Sequence, residues 1–336
     1  MSTLIELTRD SLFSVVIHLA PRFANVLLFI LIGRLAGPAQ AGVFALATTY
    51  LLIFTTFMRG LDDLVIRQVS REPDRAPRYL TNFLLLRLGL SLLLYCVLLF
   101  VVPVVFDYAE STATPILILA SSLVPDSLAH VAQAILLGQR RFGPPAITMT
   151  LASLFKLVGG ELILISGGSL HQIAWIWLTG SLIGMIALLI VAAWEVGWLR
   201  RTDWLDWRPL AQNWSAAAPF LLITTMMALE AQADTVLLSA FHDEAEVGWY
   251  GAATTVAFSL ALLSQAYRMS VYPLMARYAW QSQAKLSRLY ERSMRYMGAL
   301  VLPMVAGIIL LSPQIVSLVF GPKFQPTAKV LQILIP

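Results

Sequence analysis

Cysteine is almost missing from this chain: the single Cys96 lies in an apolar run. A lone thiol excludes a disulfide framework and a cysteine metal site. Histidine is nearly as scarce, with four scattered residues, so no zinc centre is expected and no metal or cofactor is called for. Charge is thin as well. Asp, Glu, Lys and Arg make up 12% of the residues, where soluble proteins carry about a quarter. Catalytic signatures are absent: there is no Gly-rich phosphate loop ending in Lys-Ser/Thr, no H-E-x-x-H and no nucleophile elbow. The chain therefore reads as no enzyme and not itself an ATP-driven pump. Its net charge of +4 is dealt out between apolar segments rather than gathered in one patch, which argues against nucleic acid. No cleavable leader is expected, because the first apolar run holds His18, Pro21 and Arg22 and the next follows almost at once.

What is present is apolar. Hydrophobic residues form 58% of the chain, which places it among all-α polytopic membrane proteins. A hydrocarbon core of about 30 Å needs roughly 20 helical residues. That ruler predicts helices near 11–34, 40–60, 80–106, 113–138, 145–166, 169–196, 213–241, 246–276 and 293–319, with a tenth starting near Thr327. A cytoplasmic amino terminus puts Arg59, Arg67, Arg71, Arg75, Arg78, Arg140, Arg141, Arg200, Arg201, Arg208, Arg277, Lys285, Arg288, Arg292 and Arg295 on one side. The opposite loops carry Asp107, Glu110, Asp243, Glu244 and Glu246, with little that is basic beyond Arg34 and Lys323. Basic residues favour the inner side, so one topology is chosen clearly. Trp175, Trp177 and Trp249 fall at the outer boundary, and Trp194, Trp198, Trp204, Trp207, Trp214 and Trp280 at or near the inner one.

Two stretches echo each other. Ala41-Gly42-Val43-Phe44-Ala45-Leu46-Ala47-Thr48-Thr49 matches Val247-Gly248-Trp249-Tyr250-Gly251-Ala252-Ala253-Thr254-Thr255 position for position. A repeat on this scale means two helix bundles of similar build with a site between them. The expected division is a first bundle over 1–196, a cytoplasmic amphipathic linker over 197–212 and a second bundle over 213–336. Segment 279–295 reads as a second amphipathic piece. The first bundle has about six helices and the second three and a fragment, so the second is expected to be a truncated copy.

A charge at mid-membrane costs about 2.5–3.5 kcal/mol on insertion scales, so such residues turn toward protein or water. His18, Arg22 and Asn25 share one helix face; Asp126, His130 and Gln133 repeat that spacing. Glu230 and Asp234 stand one turn apart, and Gln265, Arg268 and Tyr272 form a further stripe. Arg87, Lys156 and Glu161 add charge. Together these predict either one water-filled cavity between the bundles or a set of internal salt bridges. Asp126 and His130 could satisfy each other, and Arg87 could snorkel to the inner boundary. Arg22 suits a phosphate, because guanidinium is always charged and forks onto two oxygens. Lys156 and Arg268 could add positive potential there, beside His18 and Asn25. Glu230 and Asp234 cannot hold a phosphate; they could take a cation or proton, or pair with a base between loads.

Several ordered patterns carry a family likeness: Gly33-Arg34-Leu35-Ala36-Gly37-Pro38 leading into Ala41-Gly42-Val43-Phe44; Asp234 to Ser239; Val247 to Ala253; Tyr272-Pro273-Leu274; and Phe320-Gly321-Pro322-Lys323-Phe324 before Thr327-Ala328. In order and spacing, the chain resembles the polysaccharide repeat-unit flippases, of O-antigen translocase type, in the multidrug/oligosaccharidyl-lipid/polysaccharide exporter superfamily. That resemblance implies two lobes in a V, working by alternating access in a bacterial inner membrane. It implies an undecaprenyl-diphosphate-linked oligosaccharide as cargo, carried from the cytoplasmic to the periplasmic leaflet. Membrane lipids, and a glycan polymerase or glycosyltransferases, are the further partners it suggests. Two other readings stay open: a cation-coupled small-molecule exporter resting on Glu230 and Asp234, and a membrane scaffold for glycan assembly. Drug exporters of this superfamily often use an acid in the first lobe, whereas the first helix here offers Arg22.

Overall fold

The computed structural model describes residues 2–198 and 208–335; the side chains of 1–8, 11, 199–221, 259–266, 268–270 and 273 are outside that description. The expected linker falls largely on residues outside it, as does the side chain of Arg268.

Apolar runs of this length can satisfy their backbone in lipid only as helices or closed barrels, and here they are helices. In chain order these are α1 (Ser2–Leu35), α2 (Pro38–Arg71), α3 (Ala76–Phe100), α4 (Glu110–Ser121), α5 (Leu123–Gly138), α6 (Gly143–Ile165), α7 (Leu170–Glu195), α8 (Arg208–Phe241), α9 (Glu244–Gln281), α10 (Gln283–Val319) and α11 (Gln325–Leu334). Seven spans among the described residues are long and apolar enough to cross a membrane. The equally long α8 and α9 are not among the seven, and α8 carries Glu230 and Asp234 within its length.

Several boundaries differ from the sequence reading: α1 starts at Ser2 rather than near 11, and α2 runs to Arg71 rather than ending near 60. The expected helix over 113–138 is broken at Ser122 into α4 and α5. Pro125 supplies the reason, because it lacks the N–H that would reach the Ser121 carbonyl. Helix α8 begins already at Arg208, inside the expected linker. The amphipathic piece near 279–295 is no separate element: after an extended Ser282 it runs on into α10.

Packing builds two bundles around one hub. Helices α1 to α7 form the first, with α1 on α6, α5 on α2, α3 and α7, and α4 on α2 and α7. Helices α8 to α11 form the second, and α2 packs against both α8 and α9. The main apolar core runs through the junction, joining Leu28, Phe29, Ile32 and Phe44 of the first bundle to Ala252, Ala253, Phe320 and Phe324 of the second.

The junction is tightest at one end of the molecule, where the turns 36–37, 106–109, 242–243 and 320–324 lie. There the echoed glycines meet. A Cβ on Gly42 would lie 2.9 Å from Gly248 N and would overlap the Glu244 backbone, and one on Gly248 would lie 3.1 Å from Gly42 N and overlap Pro38. Only glycine lets two helix starts approach backbone to backbone in this way. The matching of the two stretches is thus a physical contact as well as a resemblance. Gly37 and Gly321 serve the same end differently. With φ of 98° and 90°, each turns the chain just before a proline that opens the next helical turn.

Candidate functional site

Among the described residues three hydrogen bonds join the bundles, two of them at the tight end and one deeper. Thr112 Oγ1 donates to Glu244 Oε1 at 2.8 Å, Tyr108 and Ser239 share a bond of 2.7 Å, and Thr49 donates to Gln232 at 3.4 Å. Tyr108 also meets the Tyr50 hydroxyl at 3.3 Å and stacks on Phe106 at 5.4 Å. Burial pushes the Tyr108 phenol up, against its hydrogen bonds to Ser239 and Tyr50, so it stays a neutral hydroxyl at physiological pH. The corner after α10 closes this end further. Phe320 packs edge-on to Phe29 at 5.9 Å, Trp249 Nε1 donates to Lys323 O at 3.3 Å, and Thr327 donates to Trp249 O at 3.2 Å.

Beneath this seal sits Arg22. Its guanidinium lies over the Phe258 ring of α9, 5.9 Å from the centroid, so it faces the second bundle from α1. Counting from Gly33 on α1, Arg22 is about 16 Å down at 1.5 Å per residue; Phe258 is about 15 Å down from Gly248. Both depths are close to half of a hydrocarbon core about 30 Å thick. Arg22 is exposed and has no ion pair among the described residues. A free guanidinium at that depth can receive an anion from whatever enters between the bundles.

The other expected site residues divide. His18 is exposed one turn from Arg22, with Nδ1 on the Ser14 carbonyl at 2.8 Å, and Asn25 is half-buried on the same face. Across the junction, Asp234 accepts from the Tyr250 hydroxyl and from its neighbour Thr235 N. Glu230, one turn away, is exposed and has no ion pair among the described residues. Lys156 is not brought to Arg22. It lies inside the first bundle, 3.7 Å from Asp126 of α5 and 4.6 Å from the centre of the Trp177 ring of α7. Asp126 accordingly pairs with Lys156 from a facing helix rather than with His130 on its own. Arg87 does not snorkel: it is 2% exposed, pairs with Asp62 of α2 and donates to Met58 O at 2.8 Å.

Sequence reasoning missed Asp62, Phe258, Tyr250 and the pair Thr49 and Gln232. For Tyr250 and Thr49 a signal existed, since both lie in the echoed stretches. Phe258 looks like any apolar residue of a membrane helix, and nothing local marks it.

Comparison with known proteins follows this geometry. A family model described as polysaccharide biosynthesis protein matches residues 31–329. Over 308 residues the chain is 25% identical to a protein of Haloferax volcanii named "Probable low-salt glycan biosynthesis flippase", covering 90% of this chain and 62% of that one. The chain thus spans about 62% of the length of the curated relative it matches. Among solved structures, it is similar to a multidrug resistance MATE family transporter of the MOP superfamily in its inward-facing conformation, with a TM-score of 0.71 at 16% identity, covering 94% of this chain and 77% of that one. The outward-facing conformation gives a TM-score of 0.60 at 15% identity, covering 98% and 77%. A MOP superfamily transporter from Pyrococcus furiosus, whose binding pocket is described as of reverse polarity, gives 0.51 at 16% identity, covering 98% and 76%.

Proposed function

We propose that this chain, which belongs to the polysaccharide biosynthesis protein family, is a flippase of the MOP superfamily that moves an undecaprenyl-diphosphate-linked oligosaccharide from the cytoplasmic to the periplasmic leaflet of a bacterial inner membrane by alternating access. The two moving bodies are residues 1–196 and 208–336, with 197–207 as their tether. The positive-inside rule assigns the tight end to the periplasmic side and the amino terminus to the cytoplasm. On that assignment the protein is sealed outside and receptive from within.

The observation that carries the reading is Arg22, without an ion pair among the described residues and at mid-depth directly beneath the seal. A diphosphate entering from the cytoplasmic side would displace the weak cation–π contact with Phe258 and take the guanidinium fork on two oxygens. Arg268, placed by sequence on α9 about 15 Å beyond Phe258 toward the cytoplasmic end, would add positive potential along the approach, and His18 and Asn25 would line it. Lys156 contributes only at a distance, through the field of the first bundle. After release outside, Glu230 and Asp234 would draw Arg22 back as the empty site resets.

Surface glycan export, in a host depending on this protein, tests it. Arg22→Ala should lower export by about tenfold to a hundredfold, the range for losing a charged hydrogen bond, with the membrane level of the protein unchanged. Arg22→Lys keeps the charge and loses the fork, and should fall between. Normal export by Arg22→Ala would remove Arg22 from the site. The exposed carboxylates favour a second reading, a cation-coupled exporter of small molecules. Raised drug susceptibility with normal surface glycan in a deletion strain would favour that one.

A further inference from the structure

The first turns of α10 carry four cations in a line. Lys285, Arg288, Arg292 and Arg295 follow the spacing i, i+3, i+7, i+10, which puts them on one side of a helix. All four are exposed. The packed side is a different one: Leu286, Leu289 and Met297 are half-buried there, and Ser293 is 6% exposed. Helix α10 packs on α9 and α11, so the cations face away from their own bundle.

Nothing nearby neutralises them. None of the four has an ion pair among the described residues, and Arg288 turns its Nε to the Ala284 carbonyl at 3.2 Å. After Glu246 the sequence holds a single acid, Glu291, which accepts from Ser287 Oγ at 3.3 Å. The matching turn of the first bundle, between α2 and α3, is balanced: Arg75 pairs with Glu72 at 2.8 Å, and the Tyr79 hydroxyl donates to the same carboxylate at 3.1 Å. The second bundle thus keeps at its cytoplasmic end a positive face that its own packing does not need.

The depth of the stripe says what meets it. Helix α10 is a membrane span, and its outer corner carries Lys323 and Trp249, residues of an interface. A bilayer with its headgroups is about 40–45 Å thick. At 1.5 Å per residue, Arg295 lies about 38 Å and Arg292 about 42 Å from Phe320, within the inner headgroup layer. Lys285, at about 53 Å, is within about one Debye length of that layer. Aromatic rings mark the same level: Tyr296 beside Arg295 is 62% exposed, and Trp280 at the end of α9 is 94% exposed. We propose that the stripe is a docking face for anionic phospholipid headgroups of the inner leaflet, which hold the second bundle by its cytoplasmic end. Each cation near such a surface strengthens binding by about fivefold. The face is separate from Arg22 and goes beyond the flippase reading, since it would serve any cargo.

The test uses the whole chain in nanodiscs without cargo, so its failure leaves the flippase reading untouched. Cys96→Ser removes the exposed natural thiol, and Ala299→Cys, exposed and one turn below Arg295 on the same side, carries a fluorophore. The quencher is phosphatidylglycerol or phosphatidylcholine, each spin-labelled near its headgroup and present as a minor component of a neutral bilayer. Labelled phosphatidylglycerol should quench at an about fivefold lower mole fraction, and about 1 M salt should remove the difference. Lys285→Gln, Arg288→Gln, Arg292→Gln and Arg295→Gln together should remove it as well. Lys285→Arg with Arg288→Lys, Arg292→Lys and Arg295→Lys should keep it, because a lipid surface reads charge rather than the guanidinium fork. Equal quenching by the two lipids, or a preference that survives the four glutamines, overturns the proposal. If quenching is equal while a labelled polyglutamate peptide binds the protein in neutral nanodiscs, and the four glutamines abolish that binding, the stripe belongs to an acidic polypeptide instead.

Discussion

The two bundles treat charge in opposite ways. In the first, charged side chains at depth are taken up inside the protein: Arg87 with Asp62, Lys156 with Asp126 and Trp177. Arg22 is an exception, and it points out of its bundle at the other. In the second, Glu230 and Asp234 stay exposed on α8, and among the described residues Asp234 has a side-chain partner from another helix, the Tyr250 hydroxyl, while Glu230 has no ion pair. A buried pair resists change, because either member left alone is costly. An exposed group at depth is free to meet something that comes and goes. The contrast therefore separates residues that hold or tune a body from residues that face cargo.

The strongest way to break that contrast is to open the Arg87 pair. Arg87→Leu leaves Asp62 uncompensated and should cost about 3–5 kcal/mol, seen as a large fall in the melting temperature of the purified protein. Adding Asp62→Leu should recover most of the loss. A single variant as stable as the parent would mean that the pair is water-exposed after all.

Next in size is the glycine contact. Gly42→Ala or Gly248→Ala forces the starts of α2 and α9 apart, an overpacking cost of about 1–3 kcal/mol. Because the strain exists only while the seal is closed, it should move the resting population toward the opened state by about tenfold or more. Thiol labelling of cysteines placed at the seal would report this as faster reaction from the sealed side. Unchanged labelling would show that the helices part for other reasons.

Smaller effects come from the edges of the comparison. Thr112→Val removes one bond to Glu244 and should weaken the seal by about 0.5–1.5 kcal/mol without touching Arg22. Smallest is the pair of His242 and Glu246, 2.5 Å apart yet about half exposed on both sides. His242→Ala should change thermal stability by no more than about 1 kcal/mol. A larger loss would mark this turn as part of the seal.

Much of this arrangement can be read from the residues. Scarce charge and long apolar runs dictate a helical membrane protein, and the echo of the Gly42 and Gly248 stretches points to two bundles of similar build, while the contact between the two glycines is visible only in the fold. The face shared by His18, Arg22 and Asn25 follows from helical spacing. What spacing cannot supply is the partner on another helix. Lys156 and Arg22 both look like charges at depth, and only the approach of α5 and α7 distinguishes them. Arg87 lies near a predicted boundary, and Asp62 on α2 decides that it stays inside. The break between α4 and α5 was implicit in Pro125, but a proline can bend a helix as well as divide it.

The most direct test of the whole account is a reversible lock on the seal. With Cys96→Ser as background, Thr112→Cys and Glu244→Cys replace two side chains that now touch, and oxidation should join them. The account predicts that the oxidised protein stops exporting glycan and that reduction restores export. Undiminished export with the two bundles joined there would contradict it.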